Sequence, residues 1–307
     1  MLMSSLEFVT VPGKGRAVRA LRGFACGELI LRETPLISMQ APDNAEAVHV
    51  CERCLGPCGR YSTVLQHLCE MEQPPSLPGL SAANDLICVE VKCRNGCEAP
   101  FCSAACERAA ADDGHAHLCG ASSAVDNLAD WEEHALGVNE AFLFGGKLVA
   151  LVLGRLSALR SRCRRCSAAT ATTQPPCDVC LASARAPLAP FCRGLWWEIA
   201  SVPSVKWTVE SAGLVSDSAI AEATESFRAE LRADACHSLE LLREALGSSA
   251  HNLGWLDEAE WGGLLGVARQ NNICIVSQNV SSASAGTAGT AQPSPRRTLC
   301  TACPAPF

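Results

Sequence analysis

Four closely spaced pairs of zinc-type ligands follow one another in the first half of this chain, with spacings C-x2-C, C-x3-C, C-x3-C and H-x3-C. In order, the ligands are Cys51, Cys54, Cys93, Cys97, Cys102, Cys106, His115 and Cys119. A structural zinc ion takes four Cys or His ligands in a tetrahedron, and a closely spaced pair lets one turn of backbone deliver two of them. Eight ligands in four pairs therefore predict two structural zinc ions in a small lobe.

The cysteine content also allows a disulfide framework or scattered buried thiols. The chain has 20 Cys, and its first residues lack the basic and apolar segments of a signal peptide. We therefore expect a reducing compartment, the cytoplasm or the nucleus or both, where metal binding is favoured over disulfides. His117 is an alternative ligand to His115, although only His115 has the three-residue gap to Cys119. Three cysteines of the long loop also compete for a ligand position: Cys58, Cys69 and Cys88.

The segment that precedes the ligands reads GKGRAVRALRGFACGELILRETPLI. Two β-type runs surround its Gly-Lys-Gly turn, and a further strand is predicted over residues 27–33; taken alone, the turn is typical of a plain hairpin. Together with the ligand order, this segment resembles the opening of a SET domain that is interrupted by a MYND zinc finger. That arrangement is typical of the SET- and MYND-domain (SMYD) protein-lysine methyltransferases. Among them, the chain looks most similar to the divergent fifth animal member and its plant and protist relatives.

The resemblance implies both a zinc arrangement and a methyl-donor site. The first and third ligand pairs would hold one ion, and the second and fourth pairs would hold the other. Lys14, Gly15 and Arg16 would contact S-adenosylmethionine, largely through backbone groups. The partner would be a protein substrate with a target lysine. MYND fingers also resemble docking platforms for Pro-containing peptides, which adds Pro-rich peptides to the expected partners.

The later SET motifs have no counterpart in this sequence. The family continues with an Asn-His-Ser-Cys-x-Pro-Asn segment and a Gly-Glu-Glu-x-x-x-x-Tyr segment, and its late tyrosine helps to position the amine for methyl transfer. The single tyrosine of this chain is Tyr61, inside the finger, so no catalytic residue is assigned. We therefore expect a truncated chain without turnover and leave its status as an enzyme open. The alternative is a zinc-dependent interaction module.

The sequence after the finger predicts helices, which makes the expected fold α+β. Apolar residues recur with helical periodicity over 126–159 and 218–247, and a shorter helix is expected to begin at Asp257. A strand is predicted within 268–276. The expected domains are the N-terminal part of a SET domain (1–48), the MYND-type finger (49–120), a helical region (126–280) with a Cys-rich insert near 163–180, and a disordered low-complexity tail (281–307).

The Cys-rich insert contains two further C-x2-C knuckles, Cys163 with Cys166 and Cys177 with Cys180. Their spacing suits a third, four-cysteine zinc site, and the alternative is idle thiols in a low-complexity insert.

Composition restricts the other classes of partner. A net charge of −7 argues against a dominant nucleic-acid surface, so nucleic acid is not an expected partner. A weaker alternative is phosphate contact by four arginines beside the knuckles: Arg160, Arg162, Arg164 and Arg165. The chain contains no run of about 20 uncharged apolar residues, so no membrane partner is expected.

Overall fold

The computed structural model describes residues 5–13, 15–45, 48–68, 72–73, 78–81, 84–121, 125–167, 175–200, 216–276 and 298–302. Their regular structure consists of helices and small antiparallel sheets, which confirms the predicted α+β class. The helices are α1 (Pro42–Ala45), α2 (Tyr61–Leu68), α3 (Ala104–Asp112), α4 (Val125–Val138), α5 (Ala141–Arg160), α6 (Arg164–Ser167), α7 (Asp178–Arg185), α8 (Trp196–Ile199), α9 (Asp217–Ala245) and α10 (Glu258–Asn271). Short 3-10 turns cover His115–Leu118, Ala186–Leu188 and Gly247–Asn252.

The strands are β1 (Leu6–Val11), β2 (Gly15–Ala20), β3 (Ile37–Gln40), β4 (Gly59–Arg60), β5 (Leu86–Cys88), β6 (Val91–Lys92), β7 (Pro100–Phe101), β8 (Asn272–Val276) and β9 (Thr298–Ala302). Strands β1 and β2 form an antiparallel hairpin that closes with Val11 opposite Gly15. A three-stranded antiparallel sheet has the order β3-β9-β8. The pairs β4–β5 and β6–β7 lie in the finger, by which we mean residues 49–120 with their four ligand pairs.

Helix α5 is the central element of the helical body, by which we mean helices α4 to α10. It packs against α3, α4, α7, α10 and β3. At Gly145 a Cβ would lie 2.8 Å from the indole ring of Trp261, and at Gly146 a Cβ would lie 2.3 Å from that of Trp131. The two glycines therefore let two tryptophans pack directly on the backbone of the helix. The Trp131 indole N–H is satisfied by the Ser238 hydroxyl at 3.2 Å.

Among the described helices, α5 also has the length and composition of a membrane span, with a mean hydropathy of 1.7. It carries Lys147 and Arg155, and 61% of its apolar window is buried against the rest of the protein. A core helix meets the same criteria, and the neighbours of α5 account for its apolar surface.

The helix predicted over 126–159 is two helices in the structure. Helix α4 ends at Val138, and α5 begins at Ala141. The Asn139 side-chain oxygen accepts a hydrogen bond from the Ala141 backbone N–H at 3.0 Å, which satisfies a donor at the start of the new helix. Apolar periodicity continued through this break because both helices face the same core.

The two later helices are confirmed as α9 and α10. The Ser216 hydroxyl accepts a hydrogen bond from the Ala219 backbone N–H at 3.2 Å and caps α9. Asp257 does the same for α10, where its carboxylate accepts from the Glu260 N–H at 2.8 Å. The strand predicted within 268–276 begins only at Asn272, because α10 continues to Asn271.

Two strand predictions need correction. Residues 27–33 are irregular, and Leu29 and Ile30 are each 48% exposed, because no strand of the described chain lies alongside to pair with them. In the tail that was predicted to be disordered, Thr298–Ala302 forms β9, and the rest of 281–307 lies outside the described residues. Strand β9 pairs with β3 on one side and β8 on the other. The backbone N–H and C=O groups of β9 are thus hydrogen-bonded on both edges of the strand. The low-complexity sequence of the tail gives no sign of this pairing.

Candidate metal centres and the cavity beside them

The first and third ligand pairs come together as one group of four, whose Sγ atoms lie within 4.8 Å of one another. Its members are Cys51, Cys54, Cys102 and Cys106. The Sγ atoms of Cys54 and Cys102 are 3.7 Å apart, and those of Cys102 and Cys106 are 3.5 Å apart. A Zn–S bond of about 2.3 Å places the corners of a tetrahedral site about 3.8 Å apart. This group could therefore hold a zinc ion.

The second and fourth pairs form another such group, which consists of Cys93, Cys97, His115 and Cys119. The His115 Nε2 atom lies 3.4 Å from the Cys93 Sγ and 3.3 Å from the Cys97 Sγ. The Cys93 and Cys119 Sγ atoms are 3.9 Å apart. The structure thus groups the ligands in the interleaved order that the resemblance implies, and this group could also hold zinc.

The alternative ligand His117 faces away from both groups. Its Nδ1 atom lies 2.9 Å from the Ser249 hydroxyl, in the 3-10 turn that follows α9. Burial lowers the pKa of the His117 imidazole, so the ring is neutral near pH 7. His117 therefore attaches the finger to the helical body, and His115 alone of the two belongs to a metal group.

Short elements of the finger deliver the ligand pairs. Strands β6 and β7 pair with Val91 opposite Phe101, which places the second and third ligand pairs side by side. The Ser103 hydroxyl caps α3 by accepting from the Cys106 N–H at 3.2 Å. Phe101 is fully buried, and its ring meets the His115 ring edge-on with centroids 5.7 Å apart. Phe101 is therefore the one large side chain in the buried cluster of the finger, whose other buried members are four cysteines and Ala110.

An ion pair joins the second ligand pair to α3. The Arg94 guanidinium donates from Nε and Nη2 to the two Glu107 carboxylate oxygens, each at 2.6 Å. The hydrogen bond from Arg94 is the main reason that the pKa of Glu107 lies below its usual range. A two-point contact of this kind fixes the relative orientation of the two groups. Arg94 and Glu107 therefore hold the second ligand pair in a fixed orientation relative to α3.

The pKa values of the ligand thiols differ within each group: against burial, hydrogen bonds from neighbouring groups lower the pKa of Cys51 and of Cys93, whereas the pKa values of Cys97 and Cys102 are raised. Burial, together with the neighbouring thiols of Cys119 and Cys93, raises the pKa of Cys97 to about 12. Burial and the Cys106 thiol likewise raise the pKa of Cys102. Four thiolates in one place repel one another, and only a cation relieves that repulsion. Zinc binding would therefore release protons, as expected of a cysteine-rich site.

Two of the three competing loop cysteines, Cys58 and Cys88, belong to neither of these groups. Burial, followed by the thiol of Cys88, raises the pKa of Cys58 to about 12, and Cys58 is only 2% exposed. Cys69 lies outside the described residues. Cys58 therefore behaves as a buried apolar side chain rather than as a ligand of either group.

The long loop of the finger runs from β4 to β5 and is closed at its base. The Tyr61 backbone N–H donates to the Asp85 carbonyl at 2.9 Å, and the Asp85 carboxylate accepts from the Ser62 N–H at 2.8 Å and from the Ser62 hydroxyl at 2.5 Å. Opposite these bonds, Gly59 pairs with Cys88. The two ends of the loop are therefore fixed to each other.

The two additional knuckles also converge. The Sγ atoms of Cys163, Cys166, Cys177 and Cys180 lie within 4.8 Å of one another, at the carboxyl end of α5. This is a third group that could hold a metal ion, and it shares no residue with the finger.

The residues predicted to bind a methyl donor lie at the β1–β2 turn. Gly13 and Gly15 have φ angles of 74° and 78°, a conformation that favours glycine, and Lys14 lies outside the described residues. A Cβ at Gly15 would meet nothing within 4 Å, so the described residues leave open space at this position. The Arg16 guanidinium donates to the Pro190 carbonyl oxygen, which attaches the turn to the helical body.

The finger docks on α5 through a contact between two glycines. Gly114 ends the turn after α3 with a φ of 95°, and a Cβ there would lie 2.0 Å from the Ala150 carbonyl oxygen. A Cβ on Gly154 of α5 would in turn lie 2.9 Å from the Gly114 Cα. Backbone therefore meets backbone here, and the ligand His115 follows immediately.

A cavity of about 420 Å³ opens beside this contact, between the finger, β3 and helices α4 and α5. Its apolar wall contains Leu36, Met39, Leu118, Trp131 and Leu143. Six charged residues also line it: Glu52, Arg53, Glu98, Asp113, Glu132 and Lys147. Sequence reasoning missed the cavity, because its lining comes from segments far apart in the chain and no local pattern signals it.

The chain matches no protein-family model, no curated protein and no solved structure.

Proposed function

We propose that this chain is a zinc-organised protein-binding module of the SET- and MYND-type, and that its cavity accepts a basic side chain of a partner protein. The observation that carries the proposal is the cavity between the finger and the helical body, which combines an apolar wall with an excess of carboxylates. Zinc would act structurally, by holding the finger side of this cavity in place.

The charges around the cavity favour a cation. Lys147 pairs with Glu52, and Arg53 pairs with Asp113 at 2.5 Å, so these four charges compensate one another. Glu98 pairs with Lys92 outside the cavity. Within the described residues, Glu132 forms no ion pair. Burial, and then the charge of Glu52, raise the pKa of Glu132, and the charge of Lys147 opposes them.

The shape and polarity of the cavity favour a lysine or arginine side chain over a small cation. Such a side chain has an aliphatic stem, which suits the wall formed by Leu36, Met39 and Leu143. Its charged end would then meet Glu132. Small-molecule and side-chain sites of this kind combine apolar walls with a few placed polar groups. A partner protein with an accessible lysine fits this description and agrees with the substrate class that the resemblance implies.

The test is a peptide titration of the zinc-loaded full chain. Calorimetry would compare Ac-Ala-Ala-Lys-Ala-Ala-NH2 with the same peptide carrying norleucine in place of lysine. We expect saturable binding of the lysine peptide only, weakened about tenfold by Glu132→Gln, in line with the loss of one partly buried charge contact. Glu133→Gln is the matched control, because Glu133 is the next residue of α4 and does not line the cavity. Equal binding of the norleucine peptide, or equal effects of both variants, would contradict the proposal.

A second candidate function is methyl transfer to a protein lysine, as the resemblance implies. The observation in its favour is the glycine turn of the β1–β2 hairpin, where the φ angles of Gly13 and Gly15 allow a ligand to approach the backbone closely. Calorimetric titration with S-adenosylmethionine tests it directly. Binding that is lost in Gly15→Val would support a donor site, and heat changes no larger than those of dilution would leave the binding module as the function.

A further inference from the structure

The third cysteine group lies where α5 ends and two short helices follow. Cys163 lies three residues after the end of α5, Cys166 is in α6, Cys177 is the N-cap residue of α7, and Cys180 is in the first turn of α7. The group therefore connects three helices at one corner of the helical body. Neither the proposed peptide site nor the donor turn uses these residues.

The distances within the group are those of a tetrahedral metal site. The Cys163 and Cys177 Sγ atoms are 3.8 Å apart, and the Cys166 and Cys180 Sγ atoms are 3.9 Å apart. Four sulfur ligands about 2.3 Å from a zinc ion would be separated by about 3.8 Å. A disulfide requires an S–S distance of about 2.05 Å, so these four residues are thiols. In each of these two close pairs, one cysteine comes from the first knuckle and the other from the second. The two knuckles therefore face each other.

Packing gives the four thiols a fixed place. Cys180 is 5% exposed and belongs to the main hydrophobic core, and the other three pack against that core. Helices of four and eight residues such as α6 and α7 have little stability of their own in water. Idle thiols in a low-complexity insert would not be expected to converge to these distances from two such short elements.

We infer that Cys163, Cys166, Cys177 and Cys180 bind a third structural zinc ion, which fastens α6 and α7 to the end of the core helix. Four thiolates in a tetrahedron select zinc or a sulfur-bound iron, and a closed site without an open position is structural. The ion would reinforce contacts that α7 already makes with α5, where the Arg155 guanidinium donates to the Ala184 carbonyl at 3.2 Å. Ala184 and Leu188 are buried in the same core.

This site shares no residue with the two groups of the finger. Loss of its zinc is therefore expected to loosen α6 and α7 and to leave both finger ions bound. The proposed peptide cavity, which these helices do not line, would keep its affinity.

The experiment measures metal content of the purified full chain by elemental analysis. We expect three zinc ions per chain in the wild type and two in the Cys163→Ser, Cys177→Ser double variant. The matched control is Cys192→Ser with Cys236→Ser, which changes two cysteines outside the three groups and should retain three ions. A wild-type content of two zinc ions, or iron in place of the third ion, would overturn the assignment.

A second measurement needs no variant and therefore holds even if the double variant does not fold. The native wild-type chain is briefly alkylated with N-ethylmaleimide, either before or after chelation, and its peptides are then measured by mass spectrometry. The extent of labelling of each cysteine is compared between the two states. We expect the four thiols to be protected before chelation and labelled after it, whereas exposed Cys26 is labelled in both states. Rapid labelling of all four before chelation would show that they hold no metal.

Discussion

Replacing Gly114 with alanine is expected to separate the finger from the helical body. The φ of 95° at this position is strained for any residue with a Cβ, and the new methyl group would lie 2.0 Å from the Ala150 carbonyl oxygen. The left-handed conformation costs about 1–2 kcal/mol and overpacking typically about 1–3 kcal/mol, so we expect a loss of about 2–5 kcal/mol. For a chain of this size that corresponds to a Tm lower by roughly 3–8 °C, measured by calorimetry.

The matched control for this substitution is Gly137→Ala. Gly137 lies in α4, has no positive φ, and a Cβ there meets nothing within 4 Å. Alanine is a better helix former, so the control should be unchanged or more stable by up to about 1 kcal/mol. A Gly114→Ala chain that melts at the wild-type temperature would show that the contact with Ala150 does not form.

Replacing Cys119 with alanine is expected to release zinc and unfold the finger while the helical body stays folded. Cys119 is 1% exposed and is one of four ligands of its group. Zinc binding supplies about 10–16 kcal/mol of apparent folding free energy in small zinc-finger peptides, so the loss of one ligand is severe. Because the ligand pairs interleave, Cys102→Ala should have the same effect through the other ion.

Hydrogen exchange with zinc analysis would measure this outcome. We expect the amides of β6 and β7 to lose protection in Cys119→Ala, while α9 and α10 keep theirs, with at least one zinc ion fewer per chain. Cys26→Ala serves as the control, because Cys26 is exposed and lies outside all three metal groups. Undiminished zinc content in Cys119→Ala would contradict the assignment of this ligand.

The features that local spacing determines were predicted from the sequence. A C-x2-C or C-x3-C pair delivers two ligands within one turn, so the ligands were identifiable without a structure. Helices α9 and α10 were also predicted, α9 from its apolar periodicity over 218–247 and α10 from the acidic segment that begins at Asp257; the structure adds the caps at Ser216 and Asp257. The pairing of the ligand pairs came from the resemblance, since spacing alone does not say which pair meets which.

Features that depend on distant segments were not predicted. The contact of His117 with Ser249, which lies 132 residues away, was not predicted, although the three-residue gap to Cys119 had already indicated His115 as the ligand. The break between α4 and α5 is marked by a side-chain contact at Asn139, and the place of β9 depends on β8 and on β3, which lies far back in the chain. The close approach at Gly114 depends on helix α5. The residues next to Gly114 in the sequence give no sign of that contact.

The closed base of the finger loop has a consequence for chain length. Tyr61 and Ser62 are hydrogen-bonded to Asp85, so the two ends of the loop lie next to each other. The residues between them need only connect these two adjacent ends. Doubling the length of a flexible loop costs only about 0.6 kcal/mol of closure entropy. Extra residues, or a whole reporter domain with adjacent termini, could therefore be inserted between Leu68 and Asp85 without moving a zinc ligand. This loop is the natural attachment point for a label that follows the finger in solution.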